Sequence, residues 1–220
     1  MIQEKLAFFN QALEGRQARL IAVSKTHPVE KLQEAYNAGC RIFGENRVQE
    51  LVPKHEVLPT DIQWHLIGSL QSNKVKYIAP FISVIHSIDS EKLLESVNKE
   101  AGKCHRVIDC LLQIYIAQED TKHGFSYTEA QTLLASDTLS KFTHIRICGF
   151  MGMATFTEDE AQIRQEFRGL AQFAQRMKET IQAPNVQLTE ISMGMSQDYH
   201  IALEEGSTLI RVGSAIFGTR

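Results

Sequence analysis

Lys25 follows directly on the apolar run LIAVS at 20–24, and an amine at the end of a buried segment is one whose charged form desolvation disfavours. Such a lysine can form a Schiff base with an aldehyde or ketone; a solvated loop lysine is the plain alternative. Far along the chain, ISMGMSQDY at 191–199 places Ser192, Gly194 and Ser196 at a strand end, with Ser196 ready to cap the next helix. Hydroxyls, backbone N–H groups and a helix start gathered there could cradle a phosphate. RVGSAIFG at 211–218 adds Gly213, which allows close backbone approach, and the N–H of Ser214. Read blandly, each is a glycine turn with an ordinary cap. Arg211, near the end of an apolar strand, needs a partner for its guanidinium, either a ligand or a structural salt bridge. His65 is ambiguous, since a histidine on a buried strand is usually a satisfied core residue, and Trp64 beside it reads as packing.

These residues do chemistry together only if the chain gathers them, and its hydropathy pattern says how. Short segments rich in Val, Ile and Leu alternate with longer ones of helical period, which is the pattern of βα units and a parallel sheet. Strands are predicted at 20–24, 41–44, 63–68, 83–87, 108–116, 145–150, 188–192 and 208–213. The intervening helices carry punctuation: Pro28 at a first helical position, Gly39 as a left-handed stop, and capping boxes at Ser126 with Glu129 and at Thr157 with Glu160. Eight strands, seven helices between them and one in front predict an α/β protein, a single (β/α)8 TIM barrel over residues 1–220 with an extra N-terminal helix. An open doubly wound sheet is the rival, but its first turn is ordinarily Gly-rich and here reads SKTHP. In a barrel the C-terminal strand ends form the active face, which collects Ser24 and Lys25, Glu45 and Asn46, His65 and Gly68, His86, Met151 and Gly152, with the runs 192–196 and 211–214.

Composition narrows the class of function. The 220 residues are 43% hydrophobic and 22% charged, enough to bury a full core without disulfides or metals. A formal net charge of −3 leaves no global positive field for a nucleic-acid backbone or an anionic membrane. Cys40, Cys104, Cys110 and Cys148 lie far apart and read as reduced core thiols of a cytoplasmic protein. MIQEKLAFFNQALEG reads as an amphipathic helix and not a signal peptide, and the longest nearly apolar run, 107–117, is too short to span a bilayer. The histidines show no metal-ligand spacing, so no metal site is expected; P-loop, G-x-S-x-G and G-x-G-x-x-G patterns are missing.

AVSK at 22–25, FGENRVQE at 43–50, WHLIGSLQSNK at 64–74, GFMGMA at 149–154, ISMGMSQD at 191–198 and RVGSAIFGTR at 211–220 resemble the pyridoxal phosphate homeostasis protein family from first strand to last residue. The resemblance implies a barrel similar to the N-terminal domain of alanine racemase, carrying pyridoxal 5′-phosphate as an internal aldimine. It places the aldimine lysine at Lys25, an arginine beside the pyridine nitrogen at Arg211, and phosphate-binding loops at Ser192, Ser196, Gly213 and Ser214. Asn46, His65 and Met151 fall on positions lining the cofactor; Asp198 has no role that the residues reveal. The chain departs from the family pattern at Ala117 and His123, which leaves rim contacts near Lys122 open, and at Phe150, a volume change in an apolar site.

Carbanion chemistry on this cofactor ordinarily uses a carboxylate to keep the pyridine nitrogen protonated. An arginine, with a pKa above about 12, cannot accept that proton, so the ring is expected to be a weak electron sink. The alanine racemase domain that supplies a second base and forms the dimer has no counterpart before Arg220. The expectation is therefore a monomeric, non-catalytic carrier or buffer of pyridoxal phosphate in vitamin B6 and amino-acid homeostasis, possible partners being pyridoxal-phosphate-dependent apoenzymes. The alternatives are a slow amino-acid racemase, a cofactor-free Schiff-base aldolase, or an interaction module that needs no cofactor.

Overall fold

In the computed structural model, which describes residues 1–118 and 123–218, the apolar segments become β1 (Arg19–Val23), β2 (Ile42–Glu45), β3 (Gln63–Leu66), β4 (Val84–Ile88), β5 (Ile108–Gln113), β6 (Ile145–Met151), β7 (Val186–Ser192) and β8 (Leu209–Val212). All pair in parallel with their sequence neighbours, and β8 returns to β1, where Leu20 faces Ile210 and Ile21 faces Arg211. The result is the closed eight-stranded (β/α)8 barrel anticipated from the alternation.

Helix α1 (Ile2–Leu13) precedes the barrel and buries Ile2, Leu6, Phe9 and Leu13 at helical spacing, with Phe9 meeting Tyr199 edge to face. Around the barrel follow α2 (Val29–Asn37), α3 (Val48–Val57), a 3-10 turn (Ser72–Lys74) running into α4 (Val75–Ile78), and α5 (Glu91–Lys103). The fifth crossover carries two helices, α6 (Tyr127–Leu134) and α7 (Asp137–Ser140), where one was expected. Then come α8 (Glu160–Thr180), α9 (Tyr199–Glu204) and, after the last strand, the short α10 (Ser214–Phe217). Among the described residues no helix is long and apolar enough to cross a membrane.

Side chains alternate across each strand, so two cores form. Ile21, Leu111, Cys148, Met151 and Leu209 cluster inside the barrel. Phe43, Trp64, Ile85 and Phe150 belong to the larger core between sheet and helices. The alternation slips at Gly149, where the register of β6 against both neighbours shifts. Cys148 and Met151 therefore both face inward, while Phe150 packs outward on Phe173 of α8 at 5.0 Å.

Several local expectations are corrected. Pro28 caps α2 instead of opening it, although Gly39 does follow the helix at φ +96°. Ser126 and Glu129 form their capping box, but α8 is capped by Asp159, whose carboxylate accepts from the N–H groups of Ala161 and Gln162. Thr157 accepts only from the N–H of Asp159. Ser196 does not cap α9, which begins three residues later at Tyr199. All four cysteines are free thiols; Cys110 and Cys148 are buried, whereas Cys40 and Cys104 are only half-buried. Lys122, near which the rim contacts were left open, lies outside the described residues.

Candidate functional site

The C-terminal ends of β1, β2 and β8, with the loops after β6 and β7, enclose a cavity of about 970 Å³. Six of the nine site residues expected from sequence line it: Lys25, Asn46, Ser196, Arg211, Gly213 and Ser214. Lys25 is half-buried and has no hydrogen-bond or ion-pair partner among the described residues. Asn46 is pressed in by Gly68: a Cβ at Gly68 would stand 2.4 Å from the Asn46 carbonyl oxygen and 2.8 Å from its Cα. The loops after β7 and β8 meet where the Ser214 and Ser196 hydroxyls approach to 3.4 Å. Asp198 has a visible role here, since its carboxylate accepts the Met195 N–H at 2.5 Å and so folds the turn that presents Ser196.

His65, Met151 and Ser192 do not line the cavity; they form its support. Arg211 donates from Nη1 to the Ser192 carbonyl at 2.8 Å and to its Oγ at 2.6 Å, and from Nη2 to the Gly152 carbonyl at 2.9 Å. Ser192 Oγ lies 2.9 Å from His86 Nδ1, and His86 Nε2 lies 2.9 Å from His65 Nδ1. Among the described residues the hydrogen-bond partners of Arg211 are thus neutral oxygens, and the carboxylate of Asp198 acts on it through its charge alone. Its remaining N–H groups have no acceptor among the described residues. Burial lowers its pKa to about 10, which still leaves a cation at neutral pH.

The two histidines make the support pH-sensitive. Burial, aided by the charge of Arg19, holds His65 down at about 3; burial, then His65, Arg211 and Arg19, holds His86 well below its ordinary value. Both rings are neutral when folded and take up protons near 6.5 when unfolded. Folded values below unfolded ones mean stability that is present above pH 6.5 and lost as the pH falls, at up to about 1.4 kcal/mol per pH unit for each ring. Urea unfolding midpoints are expected to drop steadily from pH 7 to pH 5, with His65→Gln flattening the slope. A midpoint constant over that range would mean that the folded rings take up protons at the same pH as the unfolded ones.

Sequence reasoning placed Ser24 and Glu45 at strand ends but missed Lys54, which ties them together behind β1. Glu45 is fully buried, and its Oε1 accepts from Ser24 Oγ at 2.6 Å and from Lys54 Nζ at 2.7 Å. Lys54 also donates to the Ser24 carbonyl at 2.9 Å. Desolvation raises the Glu45 pKa, opposed by the bonds from Lys54 and Ser24. One signal was available: Glu50 and Lys54 stand four apart on α3, the spacing that puts both on one face. His86 was collected at a strand end but given no role for want of metal spacing; its position beside His65 makes it the link to Ser192.

The family described as Alanine racemase, N-terminal domain matches residues 1–220. A pyridoxal phosphate homeostasis protein of Aquifex aeolicus is 37% identical over 204 residues, covering 92% of this chain and 87% of that protein. The protein of that name from Schizosaccharomyces pombe is 38% identical over 213 residues, covering 96% and 87%. Among solved structures, PipY of Synechococcus elongatus PCC7942, with PLP bound, superposes with a TM-score of 0.88 at 39% identity, over 99% of this chain and 100% of that one. Barrel, strand-end cavity and sequence agree: the chain belongs to the pyridoxal phosphate homeostasis protein family, within the alanine racemase N-terminal domain family.

Proposed function

We propose that this protein binds pyridoxal 5′-phosphate reversibly through Lys25 and serves as its intracellular buffer or carrier. The observation that carries this reading is the meeting, in one cavity, of a partner-free amine, a cationic arginine with spare donors and two facing serine hydroxyls. The donor set fits the ligand at each end. Ser196 and Ser214, with the close backbone approach at Gly213, suit its phosphate; Arg211 suits the acceptor nitrogen of its ring; Lys25 suits its aldehyde. Lys25 would hold the ligand by condensing with its aldehyde, the neutral amine giving up both hydrogens to the water that leaves with the aldehyde oxygen.

Asn46 bounds the site at the end of β2, Met151 fills the space below, and His65 acts through His86 and Ser192 on Arg211. Because Arg211 is a cation held by three bonds to neutral oxygens, it donates to what faces it and accepts no proton. That arrangement favours holding the cofactor over drawing electrons into its ring, which supports a homeostatic role over a racemase.

The test is a titration of the purified protein with pyridoxal 5′-phosphate, read by the visible band of the C=N group, by borohydride fixation and by peptide mass. We expect one equivalent fixed per chain, on Lys25, by a species that light scattering shows to be monomeric. Labelled alanine or serine should exchange its α-proton no faster than with free cofactor. A protein that cannot be loaded overturns the binding reading. Exchange at enzyme-like rates overturns the carrier reading in favour of a racemase.

A further inference from the structure

The segment that bears Lys25 is strained, and both peptide groups flanking that residue are held from outside the cavity by one helix. Thr26, a β-branched residue, sits at φ +65°, a left-handed conformation that such residues rarely adopt unless their surroundings impose it. On one side of Lys25, the carbonyl of Ser24 accepts from Lys54 Nζ at 2.9 Å. On the other side, the N–H of Thr26 donates to Glu50 Oε2 at 2.7 Å. Glu50 and Lys54 stand four residues apart on α3, with Nζ and Oε2 3.9 Å apart, and Lys54 is tied in turn to the buried Glu45. The His27 N–H closes the turn on the same Ser24 carbonyl at 3.1 Å.

We propose that Glu50 and Lys54 are positioning residues that clamp the two peptides bracketing Lys25 and so aim its amine at the aldehyde of the ligand. The inference rests on the cofactor reading above and deepens it by naming what sets the reach of the amine. Neither residue lines the cavity, so neither is expected to touch the ligand. With the clamp released, Thr26 can leave the left-handed region and the Lys25 Cα moves with it. A shift on the order of 1 Å costs up to about a hundredfold in the rate of a bond-forming step.

Glu50 is the residue to vary, because it is partly exposed, whereas Lys54→Met would strand the buried Glu45 and risk unfolding. Glu50→Ala removes the acceptor for Thr26; Glu50→Gln keeps an oxygen there. We expect Glu50→Ala to form the C=N band about tenfold or more slowly than wild type, and Glu50→Gln to stay within about threefold of it. Pyridoxine 5′-phosphate, which has an alcohol in place of the aldehyde, should bind all three proteins alike. Equal rates for wild type and Glu50→Ala, equal losses in both variants, or a parallel loss of pyridoxine phosphate binding would each overturn the clamp. Amide exchange of Thr26 in the cofactor-free proteins is the independent arm: protection lost in Glu50→Ala and kept in Glu50→Gln supports the clamp, and unchanged protection overturns it. A wild type that never forms the band overturns the cofactor reading instead, and the exchange arm then judges the clamp alone.

Discussion

Lys25→Ala is expected to abolish the visible band and the borohydride-fixed adduct while leaving a folded protein. The fold should tolerate the change because Lys25 is half-buried and has no hydrogen-bond or ion-pair partner among the described residues. A substitution of that kind ordinarily shifts stability by no more than about 0.5 kcal/mol. Binding should not vanish, since Arg211 and the Ser196 and Ser214 hydroxyls remain, but affinity for pyridoxal 5′-phosphate should fall by about a hundredfold or more. An amine held beside a bound aldehyde acts at an effective concentration far above any free amine. Absorbance, mass of the reduced protein and calorimetric titration together read the three outcomes. If the variant is still fixed by borohydride, another lysine carries the ligand, and Lys25 loses its assigned role.

Gly149→Ala is expected to be the most destabilising single exchange near the site. Gly149 lies at φ +154°, and a Cβ there would stand 1.8 Å from the backbone oxygen of Glu190, an atom that cannot swing away. Glu190 is fixed within β7, and its carboxylate accepts from Arg19 at 2.5 Å and from the Thr208 hydroxyl at 2.6 Å. Relief therefore requires β6 and β7 to part, and the slip that turns Met151 inward and Phe150 outward would be lost with them. A loss of about 4 kcal/mol or failure to fold is the expected result. For a chain of this size that corresponds to a melting temperature lower by roughly 10 °C. A variant that melts within about 2 °C of wild type would show that the contact yields easily.

The degree to which this was readable from sequence differs between fold and site. Alternating βα units declared the barrel because burial on both faces of a parallel sheet leaves a contiguous apolar signal, and strand ends were placed within two or three residues. Lys25, Asn46, Ser196, Arg211, Gly213 and Ser214 were legible because they stand at or just beyond those strand ends, where a barrel must present its ligand groups. The support was not. His65, Met151 and Ser192 fall on the right strands, but whether a residue faces the cavity or lies below it depends on how far along the barrel axis it sits. Ser196 illustrates a further limit: a serine before a helix looks like a cap, yet Asp198 organises this turn through the Met195 N–H.

Taken by itself, the sequence determined the architecture, the family and the chemical types available: an amine, a guanidinium and hydroxyls at strand ends. These follow from local periodicity and from motifs contiguous in the chain. Only the tertiary structure decided which groups act on which. That Arg211 is held by carbonyl and hydroxyl oxygens and no carboxylate, that two neutral histidines stand behind Ser192, and that α3 grips both peptides around Lys25 are consequences of closing the barrel. Closure brings β1 against β8 and lays α3 over the end of β1, joining residues as much as 190 positions apart through distances of a few ångströms. No local pattern encodes such contacts, because each partner would look the same in sequence had it faced solvent.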